Sequence, residues 1–187
     1  MESSGVGQSV TNYFLKEKGK FKVWDMVYYE YRKYTEDIEN QDWNIVADSV
    51  RTILGYECIL ATTAYHGRQW DAWFAPEIPI NAGPWKLLGL PGLILEAEEE
   101  GSQYSFIATG IQQTVKPITP VYLADEYEHT TRIDYLKSKR AFMDNPVGKI
   151  NAQFGGAGVT IIRSDGDDSK NLYVPAAVAD FLETDYH

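Results

Sequence analysis

The sequence predicts a mainly β, α+β fold: a strongly curved antiparallel sheet, a half-barrel or bowl, with one helix packed on or beside it. Three observations carry this expectation. Aromatic residues are 13% of the 187-residue chain, with 13 Tyr and 5 Trp, and such side chains favour pleated, half-buried surfaces. Apolar and polar residues alternate at period two in several separate runs. Gly and Pro cut those runs to strand length, and a single stretch shows helical spacing between capping signals.

Residues 1–10 are small, polar and aperiodic, and are expected to be a loose leader, in part vector-derived; residues 11–187 are expected to form one β-rich domain. Residues 12–18 read as a strand or a helical turn. Residues 21–34 are dense in aromatic and β-branched side chains, with Val27, Tyr29 and Tyr31 on one face, and predict one long strand. An acidic break over 35–42 precedes short strands at 43–46 and 48–54. Tyr56, Cys58, Leu60 and Thr62 then alternate with Glu57, Ile59, Ala61 and Thr63. After the turn His66-Gly67-Arg68, Trp70, Ala72 and Phe74 oppose Asp71 and Trp73. These two runs predict an antiparallel hairpin.

Pro76, Pro79 and Pro84 enforce an irregular connection, and Pro91-Gly92 suits a type II turn. Residues 93–97 and 104–115 predict a second hairpin across the acidic tip 98–102. The helix is expected over 130–143, with Thr130 or Thr131 as its cap and Ile133, Leu136 and Phe142 as apolar positions. Lys137, Lys139 and Arg140 fall toward its C-terminal end, where the dipole favours cations, and Asp144-Asn145-Pro146 ends it. Further strands are expected at 159–162 and 172–174.

Lys+Arg 17 against Asp+Glu 27 gives a net charge of -10 and a pI near 4.7. That balance argues against nucleic acid and anionic lipid as partners, since both require a basic surface. Cys58 is the one cysteine, so no intrachain disulfide forms. No run of about 18 apolar residues marks a transmembrane segment, and Met1-Glu2-Ser3-Ser4-Gly5 lacks the basic and apolar regions of a secretory signal.

No catalytic residue, metal site or cofactor is expected. His66, His129 and His187 lack metal-ligand spacing, and Asp165-Gly166-Asp167-Asp168 lacks the ligand ladder of a calcium loop. Gly155-Gly156-Ala157-Gly158 has no following Lys-Ser/Thr to cradle phosphate, and there is no G-x-S-x-G elbow. Cys58 in an alternating strand reads as a small buried hydrophobe. Glu96, Glu98, Glu99 and Glu100 read as a solvated tip, which leaves Asp71 and Glu77 as the carboxylates placed to contact a polar ligand.

The aromatic set is the functional lead. Trp70, Trp73, Phe74 and Trp85, with Tyr56 and Tyr65, lie within one hairpin and its exit. Either they fill the core, or one face of the sheet offers a stacking wall to an apolar or sugar ligand. Arg68 either holds a carboxylate or stacked ring of that ligand or makes a surface salt bridge. The ligand-binding candidates are therefore Tyr56, Arg68, Trp70, Trp73, Phe74 and Trp85, beside the turn Gly89-Leu90-Pro91-Gly92-Leu93-Ile94.

That hexapeptide has ordered company: Gly55-Tyr56-Glu57-Cys58, Gly67-Arg68 followed by Ala72-Trp73-Phe74, Ile78-Pro79-Ile80, and Gly83-Pro84-Trp85-Lys86 leading into it, then Leu95. With the helix ending at Asn145-Pro146, the sequence over 27–146 resembles the GLPGLI family of Bacteroidota. The resemblance implies a signal peptide on the full-length protein, placement in the periplasm or cell envelope or secretion, and an unassigned activity with no established catalytic residues. It explains the missing signal by trimming and leaves the chain after Pro146 uncovered. The sequence is also similar to the bowl-shaped N-terminal domain attached to a bacterial peptide-N-glycosidase, which implies a β bowl with an accessory or binding role.

The expected function is that of a non-catalytic envelope or secreted protein, binding a small molecule or an envelope protein through an aromatic-rich β surface near Gly89 to Ile94. One alternative is a hydrolase on peptide or glycan using Asp71, Glu77 or Cys58, or an accessory domain of one. Another is a structural module whose edge strand or hexapeptide turn pairs with a partner chain.

Overall fold

The computed structural model describes residues 12–27, 30–116, 126–145, 148, 149, 152 and 181–187. Nine strands and one helix follow in order: β1 Tyr13–Glu17, β2 Lys20–Val27, β3 Glu30–Asp37, β4 Asn44–Ile53, β5 Tyr56–Tyr65, β6 Arg68–Ala75, β7 Leu93–Glu99, β8 Ser105–Ile107, β9 Glu128–His129 and α1 Arg132–Asp144. The protein is mainly β, as its sequence predicts, but the strands divide between two open sheets. The first has order β1-β2-β3-β9 and the second β4-β5-β6-β7-β8. Every pairing is antiparallel except β3 with β9, which is parallel.

Three two-residue turns set the registers. Lys18-Gly19 joins Glu17 to Lys20, Leu54-Gly55 joins Ile53 to Tyr56, and His66-Gly67 joins Tyr65 to Arg68. In each pair both residues have positive φ, the backbone of the tight hairpin turn that follows the strands' own twist. Glycine takes the second position in all three, where a side chain is disfavoured.

Four expectations are corrected. Residues 21–34 are not one strand: Val27 pairs with Glu30, so the chain reverses between them without any Gly, Pro or Asn to signal it. The strands expected at 43–46 and 48–54 are one strand, β4 Asn44–Ile53, whose register shifts between Val46 and Val50. The strand expected over 104–115 stops at Ile107, and residues 108–116 have no regular structure. Pro91-Gly92 is not a type II turn, because Gly92 lacks the required positive φ; that conformation belongs to Gly89, at +103°. Gly92 is needed for space, since a Cβ there would collide with the Ala75 carbonyl. The strands expected at 159–162 and 172–174, with the glycine and aspartate clusters beside them, lie outside the described residues.

Helix α1 has its expected cap: the Thr131 hydroxyl accepts from the Asp134 amide at 3.1 Å. Its basic residues stop short of the last turn. Tyr135 and Leu136 are its buried residues, and they join Phe21, Val23, Val27 and Tyr34 in the core of the first sheet. The second sheet buries Ala61, Trp70, Ala72, Phe74 and Ala97 on one face, closed by Leu87 and Leu90 of the 76–92 connection. Its other face carries a smaller cluster of Cys58, Ala75 and Leu95.

Replacing Gly92 by Ala is expected to destabilise the fold by about 1–3 kcal/mol through backbone overpacking. Urea unfolding checks this against Gly110→Ala, where an added Cβ meets nothing within 4 Å; equal midpoints for the two variants would refute the spatial role.

Candidate functional site

Period two separates the aromatic candidates. Trp70 is 0% exposed and Phe74 2%, and with Tyr65 they belong to the core face, so they are removed from any ligand-facing wall. Trp73 and Tyr56 are half-buried against the smaller cluster on the opposite face. There the Arg51 guanidinium sits 4.1 Å from the Trp73 ring centroid and pairs with Glu96 at 2.5 Å. Arg68 is committed inward, not to a surface salt bridge: it pairs with Glu99 at 3.1 Å, donates to the Phe181 carbonyl at 2.9 Å, and lies 5.0 Å from the Tyr104 ring centroid.

The hexapeptide is an anchor. Leu90 and Ile94 are core residues, and the Gly89 amide donates to Asn81 Oδ1 at 2.6 Å. The hydrolase candidates do not form a site. Cys58 is fully buried and burial pushes its thiol above the usual range, which opposes the thiolate a nucleophile needs. Asp71 and Glu77 are exposed, one within β6 and one in the turn after it.

Trp85 is the candidate that remains. Its φ of +52° is a rare backbone conformation for a bulky side chain, and strain of this kind clusters at working sites. Pro84 precedes it, and the Leu87 amide closes the turn on the Pro84 carbonyl at 3.1 Å. Its ring packs 5.6 Å from both Tyr65 and Trp70 and 5.7 Å, edge-on, from His66. On another side it lines a cavity of about 180 Å³ between the first sheet and the 76–92 connection, whose walls include Phe14, Lys16 and Phe21 of that sheet and Ala82, Trp85 and Leu88 of the connection.

Beyond Trp85 lies a buried charge network. Lys86, 0% exposed, sends its ammonium to Glu183 at 2.6 Å, to Glu36, and to the Tyr34 hydroxyl at 3.3 Å. Arg132 at the start of α1 binds Glu183 and Asp185 and lies 3.4 Å from Glu36. His66 Nδ1 is 3.0 Å from Asp185 and 2.9 Å from Arg132 Nη2. A proton on Nδ1 serves the carboxylate and a lone pair serves the guanidinium, so the two contacts exclude each other. Gln41 and Trp43 fix the backbone of this stretch: Gln41 Nε2 donates to the Lys86 carbonyl at 2.8 Å, and Trp43 Nε1 to that of Leu88 at 2.8 Å.

The electrostatics follow from burial and pairing. Burial opposes ionisation of Glu183, but Lys86, His66 and Arg132 outweigh it and hold the carboxyl below its ordinary value of 4.5. Asp185 is likewise lowered by His66 and Arg132 against the penalty of burial. The Tyr34 hydroxyl is pushed well above the phenol range by burial and then by Glu183 and Glu36. Glu36, His66 and Glu183 place ligand-type atoms within 4.8 Å of one another. The Lys86 ammonium already occupies both carboxylates, so the position a metal ion would take holds a cation of the protein's own.

No local pattern of the sequence assembles this network. Its members are far apart in the chain, 97 residues between Lys86 and Glu183 and 119 between His66 and Asp185. The local signal available was Lys86 itself, a charge set in the apolar run Pro84-Trp85-Lys86-Leu87-Leu88.

Residues 66–96 match the model of a family described as a protein of unknown function, Porph_ging, named for Porphyromonas gingivalis of the Bacteroidota. The matched stretch runs from the His66-Gly67 turn through Trp85 and Lys86 to Glu96. No curated protein matches the chain. Two solved structures of PNGF-II, in space groups P21 and C2, are similar to it at 19% and 20% identity, with TM-scores of 0.48 and 0.45. They cover 63% and 60% of this chain, which spans 22% and 21% of theirs. No helix among the described residues is long and apolar enough to cross a membrane.

Trp70→Ala is expected to lose about 3–5 kcal/mol, as for other buried aromatics, and Trp73→Ala clearly less; chemical denaturation giving equal losses would place Trp73 in the core as well. Glu183→Gln is expected to cost about 3–5 kcal/mol at neutral pH, because it leaves Lys86 under-neutralised. Since the folded carboxyl titrates below 4.5, its contribution is complete above that pH and disappears as pH falls through the folded value. The gap between the native chain and the variant should stay constant above pH 4.5 and narrow below it, which pH-dependent denaturation measures.

Proposed function

We propose that the protein is a non-catalytic binding protein of the cell envelope, or a secreted one, that receives an apolar group of a small molecule or envelope protein in the cavity at Trp85. The observation that carries the reading is the strained Trp85, φ +52°, set as a wall of a part-open, mostly apolar cavity of about 180 Å³ that also has Lys16 in its wall. A volume of about 150 Å³ is enough for a single aromatic ring. An occupant of that class, or an aromatic or branched side chain of a partner, fits the space.

The family reading supports the location. The hexapeptide and the preceding Gly83-Pro84-Trp85-Lys86 favour the GLPGLI family, and residues 66–96 match a family named for a Bacteroidota species. The aromatic surface of the proposal narrows to Trp85 and its neighbours, since Trp70 and Phe74 are core. Against a hydrolase stand the buried Cys58 and the separate, exposed Asp71 and Glu77.

The test is saturation-transfer NMR with benzene and indole as probes. The native chain should bind one equivalent, and Ala82→Leu, which fills the cavity, should abolish binding with its melting temperature retained. Failure of the native chain to bind either ring, or unchanged binding by the filled variant, would refute the site.

A further inference from the structure

Residues 181–187 reach the site from more than a hundred residues along the chain from β6, yet they lie against it as a bound peptide lies in a receptor. Phe181, Glu183 and Tyr186 are buried, Leu182 and Thr184 half-buried, and Asp185 and His187 exposed. The segment belongs to neither sheet. Its Thr184 amide donates to the His66 carbonyl at 3.0 Å. Side chains supply much of its recognition.

The bed for this segment is cationic, in a chain of net charge -10. Arg68 donates to the Phe181 carbonyl at 2.9 Å. Arg140 stacks 4.6 Å from the Phe181 ring centroid and donates to the Tyr186 hydroxyl at 2.9 Å. Lys86 and Arg132 take Glu183, and Arg132 with His66 takes Asp185. The bed is also shaped for its occupant: the Thr184 hydroxyl donates to the Gly67 carbonyl at 3.1 Å, and a Cβ on Gly67 would collide with that hydroxyl.

We infer that this bed is a peptide-recognition groove for the acidic, aromatic pattern Phe181-x-Glu183-x-Asp185-Tyr186, filled in cis by residues 181–187. The same segment of a second copy of this chain can therefore replace it. Two carboxylates meeting fixed cations, with the Phe181 ring and the Tyr186 hydroxyl meeting Arg140, define the groove's specificity. Three of its side chains, Phe181, Glu183 and Tyr186, are buried against the bed, as the anchor side chains of a bound peptide enter pockets. The inference is independent of any occupant of the Trp85 cavity.

The experiment uses the full chain with a protease site placed between residues 165 and 166, cut after folding. The cut protein is mixed with a fluorescently labelled synthetic peptide of residues 181–187, and exchange is followed by anisotropy and native mass spectrometry, with tertiary structure monitored by near-ultraviolet circular dichroism. The labelled peptide should enter at one per chain as the resident fragment leaves, with the tertiary signal retained. A peptide carrying Glu183→Gln and Asp185→Asn should compete at least about tenfold more weakly, the loss expected for removing charge-assisted hydrogen bonds. Three results would each overturn the inference: no entry of label, entry only with loss of the tertiary signal, or equal competition by the altered peptide.

Discussion

An ammonium group with no exposed surface has to be neutralised within the protein, and Lys86 imposes that condition on the whole arrangement. The effective penalty for burying such an ion is several kcal/mol even after relaxation. It is met by Glu36 from β3 of the first sheet, by Glu183 from the 181–187 segment, and by the Tyr34 hydroxyl. Lys86 itself lies on the connection between two strands of the second sheet. The two sheets share no strand ladder, so this ion-paired centre and the packing around it fix how they meet. The net stability of a buried ion cluster is small compared with the effect of removing one member. Its consequence is therefore geometric: an arrangement that separates the sheets strands a charge in the interior.

The same condition explains the neighbouring backbone. Carrying Lys86 inward while keeping Trp85 against Tyr65 and Trp70 requires a sharp turn, and Trp85 takes the left-handed conformation to make it. Gln41 and Trp43 then satisfy carbonyls that the turn leaves without ladder partners. The hexapeptide completes the anchorage. Leu90 and Ile94 enter the core, and Gly92 lets the chain pass against Ala75. The most recognisable sequence of the chain thus serves mainly to hold Trp85 and Lys86, one step upstream of the residues that define the motif.

How much of this was legible follows the range of each interaction. The β5-β6 hairpin and the split of Trp70 and Phe74 from Trp73 are local period-two facts, and they could be read directly. The cap at Thr131 is equally local. The reversal between Val27 and Glu30 was hidden because neither flanking residue is a turn former and aromatic density continues across it. The parallel pairing of β3 with the two-residue β9 joins Arg32 to Glu128, a separation at which local pattern carries no information. Among the ligand candidates, Trp85 alone reached the cavity. Arg68 and the charge network were misjudged or missed because their partners, Glu36, Glu99 and residues 181–187, lie far from them along the chain.

Net charge illustrates the same limit from the opposite side. A total of -10 describes the chain as a sum and gives no account of where its cations lie. Arg68, Lys86, Arg132 and Arg140 converge on one acidic segment. An acidic peptide approaching from solution meets a repulsive surface, and attraction to the bed is screened beyond about 8 Å at physiological ionic strength. A peptide carried by its own chain needs no such approach, because covalent attachment raises its effective concentration at the bed. Repulsion at long range and capture at short range together favour the chain's own segment over acidic competitors. An acidic surface and a cationic bed are in this way two parts of one selectivity.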